Sequence, residues 1–180
     1  MRSFIRRPST VYFLFYFLLM SLLRWEISLG VILMWVGGVM GMLFEWVDRI
    51  AYVYFTKPHE QLSFQVKSLI SQKKYMKALL LIDCRKYEQK HLTVRSLLFA
   101  LIWILAAFFV LTSTGSAFAG GMVMAIGLSI LIDMLKDWGK IGKLKEWLFW
   151  QIKKDFSDKE ARGVVIGFGV IFALLSLVML

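Results

Sequence analysis

Cysteine is almost missing from this chain. Cys84 is the only one, so no intrachain disulfide can form. Histidine is scarce too. His59 and His91 stand far apart with no thiolate or patterned carboxylate beside them, and no metal set is legible. Nucleophile–base pairs are also lacking. Ser21, Ser28, Ser113 and Ser116 read as ordinary turn or helix serines, and no apolar block contains a histidine. Gly139-Lys140 and Gly142-Lys143 do not make a phosphate loop, which needs Gly-x4-Gly-Lys-Ser/Thr after a strand. The expectation from these absences is a protein that is not an enzyme and needs no cofactor.

Acidic residues are few. There are 12 against 22 Lys and Arg, a net charge of +10. Such an excess can mark a nucleic-acid binder. Here the basic residues flank apolar blocks, which reads instead as an orientation signal and an attraction to anionic lipid head groups. The expected partners are an anionic bilayer and either a protein partner or a second copy, with no nucleic acid.

What the chain has in quantity is apolar sequence in long runs. Hydrophobic residues make up 59% and mean hydropathy is +0.67, whereas soluble domains are about 45–50% apolar. The clearest feature is a hairpin, 94–112 turning through Ser113-Thr114-Gly115 into 116–135. Each arm approaches the roughly 20 residues that cross a bilayer.

Before it, residues 1–7 carry Arg2, Arg6 and Arg7, followed by Pro8 and an apolar run over 11–23. The layout imitates a signal peptide, and Ser28 and Gly30 form a small-x-small pair. Arg24, Trp25 and Glu26 separate that pair from the run, so a retained first span over 9–25 is expected. The second span is 27–44. Glu45, Trp46, Asp48 and Arg49 then lead into a short apolar stretch, 50–55, expected to run along the interface with Tyr52 and Tyr54 among head groups.

After Thr56-Lys57-Pro58, Leu62, Val66, Leu69 and Ile70 repeat at helical spacing, and Ala78, Leu79, Ile82 and Tyr87 repeat again. The stretch 66–87, with Lys-Tyr-x-Lys-Ala-Leu at 74–79, resembles one unrepeated tetratricopeptide-type helical hairpin. Residues 57–93 are too few for an independent core. The hairpin must lie on the membrane, on the protein's own spans or on a partner.

Residues 136–156 mix lysines with tryptophans. Ile141, Leu144, Leu148 and Ile152 fall on one stripe; Trp138, Lys143, Trp147, Trp150, Lys153 and Lys154 complete an amphipathic helix expected in the membrane interface. Ser157-Asp158-Lys159-Glu160 is a capping box that starts the last span, 161–180.

The fold class expected is therefore an all-α integral membrane protein: a bundle of five transmembrane helices, a cytoplasmic helical hairpin and an interfacial amphipathic helix. Its organisation runs 1–55 for the first two spans, 56–93 for the hairpin, 94–135 for the central spans, 136–157 for the interfacial helix and 158–180 for the last span. With the N-terminus in the cytoplasm and the C-terminus outside, 21 of the 22 basic residues face inward and only Arg24 faces out. That satisfies the positive-inside rule for a plasma-membrane protein.

Two patterns are candidate sites. Small residues recur at four-residue spacing: Gly37 and Gly41 in the second span; Ala117, Gly121, Ala125 and Ser129 in the fourth; Gly163 and Gly167 in the fifth. Such lines let helix backbones approach, either within one monomer or between copies. Glu45, Asp48 and Asp133 are the acids nearest the inner membrane face. If the second and fourth spans meet, these three can form a cation or proton site; otherwise they simply end their helices among head groups. A non-enzymatic assembly, scaffold or accessory subunit is the leading functional expectation. The alternative is a small oligomeric transporter or channel using the inner carboxylates.

Overall fold

A computed structural model describes residues 8–25, 28–85, 92, 94–153 and 156–180. Among these the chain is helical, with no strand. The helices are α1 (Pro8–Arg24), α2 (Leu29–Ala51), α3 (Gln61–Ser71), α4 (Tyr75–Cys84), α5 (Leu97–Phe109), α6 (Ala117–Lys136), α7 (Ile141–Leu148) and α8 (Asp158–Val178). Wider π-type turns extend α2 through Tyr52–Thr56 and α5 through Val110–Thr114. Four helical stretches are long and apolar enough to cross a membrane: Leu29–Phe55, Leu97–Thr114, Ala117–Lys136 and Asp158–Val178. The apolar helix Thr10–Arg24 is shorter.

Serines set the starts of the later helices by accepting orphan backbone N–H groups. Ser96 Oγ accepts from Phe99 N at 3.2 Å, and Ser116 Oγ from Ala119 N at 3.3 Å. The box at Ser157 closes in both directions: Ser157 N donates to Glu160 Oε2 at 2.7 Å, and Glu160 N to Ser157 Oγ at 3.2 Å. The central hairpin turns at Gly115, whose φ of +59° belongs to the left-handed region that glycine enters without a Cβ clash.

Helix continues past Glu45, from Leu29 through the π-type turn that ends at Thr56. No glycine or proline lies between Met42 and Thr56 to stop it.

α2 and α6 pack along their length and run parallel. Gly30 lies opposite Ala117, Gly37 opposite Phe118, and Gly41 opposite Met122 and Ala125. α1 runs parallel to α8: Tyr16 and Ser176 share a hydroxyl hydrogen bond at 2.9 Å, and Arg24 Nη2 donates to the Met179 carbonyl at 2.7 Å. That guanidinium sits where a cation is favoured, at a helix C-terminus. Trp35 Nε1 donates to Ser21 Oγ at 2.9 Å and ties α2 to α1.

Trp103 fastens α5 to the rest. Its indole lies over Gly127, where a Cβ would come within 2.0 Å of the ring, and its Nε1 donates to the Val123 carbonyl at 2.7 Å. The same ring meets Phe168 and Phe172 of α8, at centroid distances of 5.1 and 6.1 Å. Trp103→Phe keeps most of the apolar contact and loses the hydrogen bond. Its expected cost is about 1 kcal/mol, read as a small fall in detergent Tm, whereas Trp103→Ala loses about 3–5 kcal/mol.

Candidate functional site

Asp48 and Asp133 reach the same end of the bundle because α2 and α6 run side by side. Between them enters the chain segment that starts α5. Val94 N donates to Asp48 Oδ2 at 3.2 Å. One residue later, Arg95 Nη2 forms an ion pair with Asp133 Oδ2. Lys136 Nζ takes the other oxygen, Asp133 Oδ1, at 3.1 Å. Two of the three acids are shielded within the protein: Asp48 is only 8% exposed, and the side chains of Asp133 and its partner Arg95 are 14% and 23% exposed. Arg49, next in sequence to Asp48, is also buried, its guanidinium 5.6 Å from the Trp46 ring centre. The side chain of Glu45 lies outside the described residues.

The space between Gly41, Asp48, Val94, Arg95, Ser129 and Asp133 is about 20 Å³. That holds about one water molecule. Among the described residues, no group of three or more His, Cys, Asp or Glu could hold a metal ion. Both Asp133 oxygens already face cations of this chain, so an outside cation would have to displace Arg95 or Lys136. Chemically the cluster is a clamp. It ties the residues just before α5 to α2 through Asp48 and to α6 through Asp133.

Arg95 is the residue that sequence reasoning missed, having counted it only as a topology charge. A signal was present. Counting from the turn at Gly115, Arg95 stands 20 residues before it and Asp133 18 after it. Two antiparallel arms with equal rise bring those positions level.

The small-residue lines have two different fates. Gly37, Gly41, Gly121 and Ala125 form the α2–α6 contact: a Cβ on Gly37 would lie 2.0 Å from the Phe118 carbonyl oxygen, on Gly41 2.3 Å from that of Met122, and on Gly121 2.2 Å from that of Met34. Ala117 continues the contact towards Gly30, and Ser129 turns its hydroxyl back to the Ala125 carbonyl at 3.1 Å. A Cβ on Gly163 or Gly167 of α8 would meet no atom of another described element within 4 Å.

The segment 136–156 differs most from expectation. Among its described residues after Lys136, α-helix covers Ile141–Leu148, and its apolar stripe faces the bundle, with Leu144 and Leu148 fully buried. Trp138, Trp147 and Ile152 pack partly buried against the same core, and Phe149 stacks on Phe156 at 4.0 Å. Trp147 Nε1 donates to Asp137 Oδ2 at 3.0 Å, and Arg162 lies 5.9 Å from the Trp138 ring centre. Trp150 is half-buried, while Lys143 and Lys153 are exposed; Lys154 lies outside the described residues. The physical reason is the return of the chain. α8 starts at Asp158, whose carboxylate pairs with Lys145, and on the way to it the apolar side chains Leu144, Leu148 and Phe149 are buried in the core.

Comparison with protein-family models, with curated proteins and with solved structures finds no match to this chain.

Proposed function

We propose that this is a five-span protein of the plasma membrane, N-terminus in the cytoplasm and C-terminus outside, acting without catalysis as an assembly or accessory subunit. The observation that carries the reading is the closed Asp133 end. Its carboxylate is consumed by Arg95 and Lys136, and the space beside it is about 20 Å³. A carrier or an enzyme needs an open polar site, and this one is built as a fastening.

The five-span count is supported by the fit of α1 alongside α8. Seventeen residues rise about 25 Å against a hydrocarbon core of about 30 Å. Even so, Arg24 reaches the last carbonyls of a 21-residue helix. Alternation of five helices puts all the basic residues but Arg24 on the Asp133 side. In intact cells, Ser113→Cys in a Cys84→Ser background should react with an impermeant thiol reagent added outside. Native Cys84, which is exposed on α4, should not. Labelling of Cys84 from outside would overturn this topology.

An assembly subunit needs a face for a second helix. The Gly163–Gly167 line on α8 is open and lets a partner backbone come close. A photo-reactive side chain at Ile166, exposed beside that line, should give one discrete protein adduct in native membranes. The same group at Leu105, exposed on α5, should give lipid adducts. Lipid adducts alone from both positions would sink the assembly reading.

A further inference from the structure

Helix α4 is apolar on two sides, and the protein covers only one. Ala78 and Ile82 are buried against Leu62 and Val66 of α3 and against Val53 from the end of α2. On the other side Tyr75, Met76, Leu79 and Leu80 are exposed, Met76 at 68%. They stand at i, i+1, i+4 and i+5, which is one continuous helical face. α4 also carries Lys77 and Asp83, so it is an amphipathic helix with an uncovered apolar face, the kind of element that a second apolar surface covers.

The hairpin is not free to choose that surface from afar. Tyr52 Oη donates to Glu60 Oε2 at 2.7 Å, and Ser63 Oγ donates to the Lys57 carbonyl at 2.6 Å. Those bonds, with Val53 inside the hairpin's own core, seat α3 and α4 on the end of the Leu29–Phe55 helix. Tyr54 and Phe55, the last residues of that apolar helix, are themselves exposed, Phe55 at 84%. Lys67 Nζ lies 5.6 Å from the Tyr54 ring centre. The hairpin that carries α4 is therefore seated where a candidate span ends.

Charge names the occupant. Residues 57–85 hold six basic residues (Lys57, Lys67, Lys73, Lys74, Lys77 and Arg85) against two acids, Glu60 and Asp83. Lys73, Lys74 and Lys77 are exposed and crowd the start of α4, beside Tyr75 and Met76. Apolar and aromatic side chains next to exposed lysines are the combination that beds a helix at the head-group boundary of an anionic leaflet.

We propose that α4 lies on the anionic leaflet next to the end of α2, with Tyr75, Met76, Leu79 and Leu80 in the head-group boundary and Lys73, Lys74 and Lys77 on lipid phosphates. The surface-lying amphipathic element of this protein is thus the hairpin, and the 141–148 helix, whose stripe is internal, is not. The proposal stands apart from the assembly reading, because it uses no α8 contact.

The test uses the full chain in a Cys84→Ser background, reconstituted in vesicles. Spin labels are placed through Met76→Cys and Leu80→Cys, and through Ser68→Cys at an exposed position of α3. In phosphatidylcholine vesicles containing phosphatidylglycerol, the labels at 76 and 80 should collide with an aqueous nickel chelate several-fold less than the label at 68. They should collide more with oxygen. Omitting phosphatidylglycerol, or introducing Lys73→Glu, Lys74→Glu and Lys77→Glu together, should return the nickel-chelate rate at 76 towards that at 68. Equal aqueous access at 76 and 68 in the anionic vesicles would overturn the proposal. So would protection at 76 that ignores both lipid charge and the lysine reversals, or spin–spin broadening that marks a second copy as the cover.

Discussion

Asp133→Ala is expected to lower stability by about 3–5 kcal/mol, the usual cost of removing one partner from a buried ion pair. The loss comes less from the attraction itself than from what remains. Arg95, 23% exposed, would keep its charge but lose the Asp133 carboxylate, and the start of α5 would lose its tie to α6. Asp133→Asn should fall between, because the amide can still accept a hydrogen bond without balancing the charge. Replacing both partners, as Arg95→Met with Asp133→Leu, should recover part of the loss, since the pair becomes apolar at similar volume and the Lys136 ammonium, 39% exposed, can turn to water. Thermal unfolding in mild detergent reads all four proteins. If Asp133→Ala melts with the wild type, the clamp is decorative and the carboxylate is free for another task. If the double variant is worse than Asp133→Ala, Arg95 has a second role. Loss of a cation-dependent flux in vesicles on Asp133→Asn, with stability unchanged, would favour transport over assembly.

The second large effect is expected at the α2–α6 contact. Gly37→Leu and Gly121→Leu each drive a side chain into backbone of the facing helix, where carbonyl oxygens stand 2.0 and 2.2 Å from the first atom added. No rotamer avoids that atom, and the obstacle is not a flexible side chain. Overpacking typically costs about 1–3 kcal/mol and can exceed it; with two helix axes forced apart, the upper end or more is expected. Even Gly121→Ala should destabilise. Val123→Leu, only partly buried against the core, should cost much less than Gly121→Leu. Gly163→Leu meets open space and should leave the monomer's Tm near the wild type while weakening any complex through α8. Equal melting of Gly121→Leu and Val123→Leu would remove the packing line. Collapse of Gly163→Leu would show that α8 is covered within the fold.

Much of this protein was legible from the sequence because its information is local. Apolar run length depends only on neighbours along the chain, so the helical class and the central hairpin followed from composition in blocks. Serines ahead of apolar runs marked helix starts, and Ser157 with Glu160 forms the box that its spacing indicates. Small-residue spacing marked the faces at which helix backbones can approach.

What the tertiary structure alone decided is which surfaces meet. The spacing of Gly121 and of Gly163 looks alike, yet one lies against the Met34 backbone and the other against nothing, because that depends on a partner helix far away in sequence. Asp133 took its meaning from Arg95, 38 residues earlier, and Asp48 from a backbone N–H 46 residues later. The stripe Ile141, Leu144, Leu148 and Ile152 carries the same periodicity whether lipid or protein covers it. Only the return of the chain into α8 selected protein there, and only the one-sided burial of α4 left an apolar face without an internal cover. Periodicity fixes that a face must be buried, and the long-range path of the chain fixes against what.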